Sequence, residues 1–496
     1  MKQKSQKKRL SHTIKKAMNS GPRGPEKDFL FIAANLLLVR ISNRLHLEVS
    51  AKPGIASTAY TAALTVLFLG ASVFFVNPTR ANSYPDVYGA NPYTTGRAGA
   101  VTAVINDVSA VFYNPAGLAL PSRGESIKKQ KDARMHELQL YYTGSSHSLN
   151  YSPYSPDLIF SDEDATNVND SYAGLGLSLR LDRIYDVDRK VAFGLYANLP
   201  GNGKLLSIND LNPTVHRFLQ HGKSLTRPYI AAALSVEVWK EHIYAGIGFT
   251  ALARGQGAIL MKEVEISPNT VTPDQQVIVD VEPATNAQYG LIGVYQDFYL
   301  GVFYRRELAV ELDPINARAR TLLLGLELDL DLAVLDHYQP RTLSYGAGYR
   351  LFDIFLFSVD VRRELWSGFQ SSRAKQTYSE IIYLSDTTSV GASLEFQVTD
   401  WFQARMGYRR APTPIPNQPG STNWMGSDRQ IYSAGATYMI WPSGGDLKYP
   451  IGIDFSIQSQ KLEQRMQLKY NPTPENPFYE YGGVINHLGI GVVIHF

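Results

Sequence analysis

From residue 137 to its end this chain keeps returning to a rhythm of two. In 172-YAGLGLSLRL-181, Leu175, Leu177, Leu179 and Leu181 alternate with Gly174, Gly176, Ser178 and Arg180. The same period runs through 326-LELDLDL-332, 344-SYGAGYRL-351, 451-IGIDFSIQ-458 and 488-LGIGVVIHF-496. Successive side chains of a strand point to opposite faces, so each stretch has one apolar face and one small or polar face. No apolar run after residue 80 is long enough for a transmembrane helix, so any membrane crossing in the body must be made by strands.

The connections sort into two kinds. Trp239-Lys240-Glu241, Leu351-Phe352-Asp353 and Thr399-Asp400 are tight, whereas 200–228 and 412–429 are long and polar. Short turns at one end and long loops at the other are the pattern of an outer-membrane barrel, with turns periplasmic and loops outside. Segments of the length that crosses a bilayer give about fourteen strands. A soluble sandwich would show the same alternation. The turn asymmetry, 30 Tyr for aromatic girdles, the terminal Phe496 and a leader favour the barrel. A closed barrel also has no edge, which lipid demands.

The leader is read as residues 1–81. An apolar stretch, 59–76, follows Arg40, Arg44 and Lys52 and ends in 77-NPTRA-81, the layout of a secretory signal cut near Ala81. A retained inner-membrane anchor is the other reading, and residues 1–50 fit an over-extended start. The leader also holds the positive charge. Residues 1–81 contain 13 Lys and Arg against 3 Asp and Glu, leaving 35 against 42 in the rest. The acidic body lacks the basic excess that tracks nucleic-acid phosphates.

Residues 82–136 precede the first clear strand. They are rich in Ala, Gly and small polar residues and carry 111-VFYNPAGLAL-120. Pro115 biases Asn114 away from the helical region, and Gly117 permits a sharp turn. The apolar faces of 98–105 and 108–112 argue for packing inside something. The division expected is therefore a leader over 1–81, an N-terminal hatch over 82–136 and a transmembrane barrel over 137–496.

Here the chain resembles the FadL-type family of outer-membrane transporters for long-chain fatty acids and aromatic hydrocarbons. The segment 95-TGRAGAVTAVINDVSAVFYNPAGLA-119 is similar to that family's N-terminal hatch, including its Asn-Pro-Ala turn. Three further stretches, 301-GVFYRRELAVEL-312, 357-FSVDVRRELWSGF-369 and 403-QARMGYRRAPTPIP-416, follow in the family's order. The resemblance implies a fourteen-stranded, all-β membrane barrel in a Gram-negative outer membrane, plugged by the hatch. Asn114, Pro115, Ala116 and Gly117 would form the turn that keeps the hatch seated. It implies transport of hydrophobic molecules, above all long-chain fatty acids, released when the hatch shifts. It implies no enzyme, cofactor or metal, a monomer in contact with outer-membrane lipid, and recognition of Phe496 by the barrel-assembly machinery. The 200–228 connection would gather substrate, with Phe218 and Leu219 as an apolar catchment on an amphipathic turn.

Within 300-LGVFYRRELAVELD-313, a continuous strand would set Val302, Tyr304, Leu308, Val310 and Leu312 on one face. Arg305, Glu307 and Glu311 would then face the lumen. Arg305 is suited to a carboxylate headgroup, since guanidinium pairs with it bidentately; the alternative is a lumen salt-bridge network with Glu307 or Glu311. Arg306 falls on the lipid-facing parity and so must lie near an interface. Other classes fit less well. No Gly-x-Ser-x-Gly, His-Glu-x-x-His or Gly-x-x-x-x-Gly-Lys occurs, which disfavours a hydrolase. A diffusion porin needs no N-terminal plug, and an adhesin calls for longer or repeated loops.

Overall fold

The computed structural model describes residues 84–121, 135–154, 169–201, 216–221, 228–252, 255–261, 265–267, 270–271, 275–281, 284–312, 334–369, 382–441, 449–474 and 476–496. All of these belong to one compact unit, Val76–Phe496. The expectations for the leader and for 326–332 lie outside the described residues.

Fourteen antiparallel strands close into a barrel. They are β1 (Glu137–Pro153), β2 (Asp170–Arg180), β3 (Val191–Pro200), β4 (Tyr229–Trp239), β5 (Ile243–Leu252), β6 (Ala284–Tyr295) and β7 (Phe298–Arg305). The second half is β8 (Arg341–Leu351), β9 (Phe355–Leu365), β10 (Thr387–Thr399), β11 (Phe402–Ala411), β12 (Arg429–Ile440), β13 (Ile451–Gln467) and β14 (Tyr479–His495). Each strand pairs with its sequence neighbours, and β1 closes on β14 from Glu137↔His495 to Pro153↔Tyr479. His136 and Phe496 extend this seam by exchanging backbone bonds of 2.9 and 3.1 Å.

The alternation decides which face looks where. Along β2, Leu175, Leu177 and Leu179 point outward, whereas Tyr172, Gly174, Gly176, Ser178 and Arg180 point into the bore. The outer wall ends in exposed aromatics. Trp239, Tyr295, Phe298, Phe352 and Trp401 ring the short-turn end. Tyr289, Tyr345, Tyr408 and Tyr432 lie toward the loops, giving the two girdles of a membrane barrel. The three tight connections read from the sequence are the observed turns. Two of them are held by left-handed residues without glycine: Glu241, Phe352 and Asp353 have φ of 63, 55 and 58°.

One strand departs from expectation. The ladder of β7 stops at Arg305, and residues 308–312 pair instead with 334–339 outside the barrel sheet. The two residues between break the parity, so Leu308 is buried rather than lipid-facing. Arg306 sits at the loop-side end of the wall, exposed, where an interface tolerates its charge.

Candidate functional site

The bore is filled by the N-terminal segment, residues 84–121. It contains three short helices, α1 (Tyr84–Tyr88), α2 (Pro92–Thr95) and α3 (Ala110–Tyr113), and a 3-10 turn, Pro115–Ala119. From Tyr84 to Leu120 every residue is buried except Asp86, Gly89 and Asn106, which are half-buried. A chain with so little regular structure packs this closely because the wall offers it glycine. A Cβ on Gly246 would lie 2.4 Å from Pro115 C, on Gly301 2.5 Å from Thr102 O, and on Gly407 2.3 Å from Arg97 C. Gly176, Gly194, Gly290, Gly346 and Gly435 meet the segment in the same way from other strands. The small face read from the alternation is thus the seat of a backbone.

Polar pins fix the segment around the circumference. One carboxylate oxygen of Asp360 accepts from Val101 N (2.9 Å), Thr102 N (2.9 Å) and Thr102 Oγ1 (2.7 Å). Arg97 donates to Ser393 Oγ at 3.1 Å and Ser358 Oγ at 3.3 Å, with Glu395 at 3.8 Å. Ser235 Oγ donates to Ala116 O at 2.9 Å, and Arg180 Nη1 donates to Leu120 O at 3.2 Å at the turn end. Such bonds to charged partners each contribute roughly 1.5–3 kcal/mol where buried.

Asn114 caps the 3-10 turn, its Oδ1 accepting from Ala116 N at 3.2 Å. Its Nδ2 donates to Thr102 O at 2.8 Å, tying two parts of the plug together. Pro115 takes the first position of the turn, where no donor is needed. Ala116 and Gly117 are buried in the same turn. Gly117 is not there for left-handed backbone, since it is absent from the positive-φ residues; a Cβ would lie 2.3 Å from Ile105 O. Close approach, rather than turn geometry, requires the glycine.

Arg305 faces the bore, and its carboxylate partner is Asp86, not Glu307. Arg305 Nη2 donates to Asp86 Oδ1 of α1 at 2.7 Å, and Gln339 Nε2 donates to the other oxygen at 2.5 Å. Glu307 turns to Arg341 at 3.5 Å, because the break after β7 carries it away from the lumen. The Glu311 side chain lies outside the described residues.

An aromatic layer covers the plug on the loop side. Tyr84 and Tyr88 of α1 pack with Leu149, Phe218, Met425, Tyr479 and Tyr481. Tyr338, Trp366, Phe369, Ile415 and Trp424 form a neighbouring cluster, with Leu219 against it. Phe218 is 4% exposed and sits within this layer, not on an open catchment. Nor is its segment helical: Arg217 and Phe218 pair in parallel with Trp424 and Met425, because extension lets Phe218 reach Tyr481. A groove of about 950 Å³ lies elsewhere, beside Tyr142, Phe455, Ile457, Leu488 and Ile490 of the outer wall.

The inward arginines fall into two groups. Arg97, Arg305 and Arg405 each have a carboxylate partner, the last being Asp454 at 3.1 Å. Among the described residues Arg362, Arg409 and Arg429 have none within ion-pair distance. Arg409 donates to Ala98 O and Ser389 Oγ, Arg429 donates to Gln460 Oε1, and Arg362 stands over the Tyr113 ring. Strand pairing sets Ser389 opposite Arg362 and Ala411 opposite Arg429, which gathers the three on adjoining walls. Glu364 is the acid in electrostatic range of both Arg409 and Arg429. Sequence reasoning missed these residues, as it missed Asp86. Asp360, Arg362 and Arg409 did lie in stretches already singled out, and inward parity was the available signal.

Residues 296–463 match the family described as outer membrane protein transport protein (OMPP1/FadL/TodX). Alkane uptake protein A of Marinobacter nauticus is 21% identical over 436 residues, covering 81% of this chain and 89% of that protein. A crystal structure of a Pseudomonas aeruginosa FadL homologue superimposes with a TM-score of 0.55 at 16% identity, covering 85% of this chain and 99% of the other. That likeness is one of fold. The filled fourteen-stranded barrel, with the match over β7 to β13, has the fold of an outer-membrane β-barrel and is similar to the FadL/TodX transport proteins.

Proposed function

We propose that the protein carries long-chain fatty acids across the outer membrane. The acyl chain lodges in the aromatic layer above the plug, the carboxylate is held among Arg362, Arg409 and Arg429, and the N-terminal segment acts as the hatch. The observation that carries this reading is that Arg362, Arg409 and Arg429 have no carboxylate within ion-pair distance among the described residues, whereas Arg97, Arg305 and Arg405 each have one. A fatty acid completes that site. Each buried CH2 contributes roughly 0.8 kcal/mol, so an acyl chain binds firmly and release needs a moving part. The turn at Asn114–Gly117 and the Asp360 pins are the parts that must give. The role has no chemical step and needs no cofactor. The 44% exposure of Phe496 at the turn end supports its recognition by assembly factors.

Alkane cargo is the second reading, favoured by the similarity to Alkane uptake protein A and by the apolar layer. Uptake separates the two. Cells expressing the protein should accumulate labelled palmitate far faster than a strain lacking it, and labelled hexadecane little faster. The reverse order would establish alkane transport. Native mass spectrometry of detergent-purified protein should show one long-chain fatty acid per barrel; an empty, ion-conducting barrel would replace both readings with a porin.

A further inference from the structure

Arg409 touches the plug as well as the unpaired cluster. Its Nε donates to Ala98 O of the plug at 2.8 Å and its Nη1 to Ser389 Oγ at 3.1 Å. Its Nη2 is buried with no partner, in a residue 6% exposed. The plug is strained where Arg409 holds it. Ala98 has φ of 50°, a left-handed conformation that alanine adopts only when its surroundings impose it, and Gly99 follows at 66°. Tyr113, the ring beneath Arg362, is also a plug residue.

We propose that Arg409 is the coupling residue: a cargo carboxylate that takes its side-on donor pair displaces the Ala98 carbonyl and lets the plug leave its seat. This rests on the fatty-acid reading above. The stereochemistry of guanidinium makes the link. Nε and Nη2 lie on one edge and engage a carboxylate as a fork. Nη2 already waits without a partner, and Nε is occupied by Ala98. Completing the fork therefore withdraws the bond that holds the left-handed turn, which then relaxes. An uncharged chain of equal length fills the aromatic layer without reaching for Nε, so it binds and leaves the plug closed. The acid thus controls opening in addition to affinity.

The test compares palmitate, hexadecanol and methyl palmitate on full-length protein in detergent. Binding is read by native mass spectrometry and plug release by hydrogen exchange at the amides of residues 97–101. In the wild type all three should bind, and palmitate alone should accelerate exchange, roughly five- to a hundredfold, the usual span of coupling between two sites. Arg409→Lys keeps a donor for Ala98 but loses the fork. It should stay closed, bind palmitate through Arg362 and Arg429, and lose the acceleration. Equal acceleration by acid and alcohol in the wild type, or full acceleration in Arg409→Lys, overturns the coupling. The ligand comparison needs no variant, so a misfolded Arg409→Lys does not spare the proposal. Failure of the wild type to bind any of the three overturns the transport reading instead.

Discussion

Replacing Gly301 by valine should open the barrel without unfolding it. Gly301 lies on β7 facing the bore, and a Cβ there would stand 2.5 Å from Thr102 O and 2.6 Å from Ala103 Cα. These are backbone atoms, so no rotamer change relieves the clash. Ordinary contact begins at 3.4 Å, which requires a retreat of about 0.9 Å. The strand will not supply it, since β7 is paired along its length with β6 and β8. The plug must move, and Thr102 moves with it. Its bonds to Asp360, at 2.9, 2.9 and 2.7 Å including Val101 N, then stretch to roughly 3.6–3.8 Å, where they no longer count as hydrogen bonds. Three bonds to a charged acceptor are worth at least about 4 kcal/mol together. At 1.36 kcal/mol per factor of ten, the unseated population rises about a thousandfold. Single-channel recording in planar bilayers should therefore show frequent openings in Gly301→Val that the parent lacks. Heat-modifiable gel mobility should confirm a folded barrel. Gly293→Val is the control, because a Cβ there meets nothing within 4 Å. A folded Gly301→Val as silent as the parent would refute the claim that the glycine face seats the closure.

Other outcomes follow from the same contacts. Asp86→Ala leaves Arg305 buried without its acid, which costs about 3–5 kcal/mol, whereas Asp86→Ala with Arg305→Met should cost less; thermal loss of folded gel mobility ranks the two, and equal losses would dismiss the ion pair. Asn114→Ala removes the cap on Ala116 and the tie to Thr102, about 1–2 kcal/mol, and should speed exchange at the amides of residues 115–119 with the barrel amides unchanged. The 216–221 segment should loosen in acid. Burial pushes the His216 imidazole down to about 4, helped by Lys469, and burial also pushes His221 down, helped by Arg429 and His147. Docking favours neutral rings, so its stability is complete above the unfolded value near 6.5 and falls as pH drops from there toward 4. Protease nicking at this segment should rise between pH 7.5 and 4.5, and a flat profile would rule the histidines out.

Much of this architecture is local, and local features are readable from sequence. Period two fixes which residues face out, short turns fix where strands reverse, and neither depends on distant partners. The alternation over 172–180 and 451–458, the turns at 239–241 and 351–353, and the inward side of Arg305 are legible in residue order alone. Tertiary structure decided what stands opposite each inward residue. Asp86 reaches Arg305 and Asp360 reaches Thr102 across hundreds of residues, only because the barrel closes around the plug. Glycine was the most ambiguous of all: a missing side chain does not say whether water or a backbone takes its place. The parity break after Arg305 was hidden for a related reason. The pattern continues through Leu312 in the sequence, but hydrogen bonding to 334–339 drew that segment out of the wall and buried Leu308.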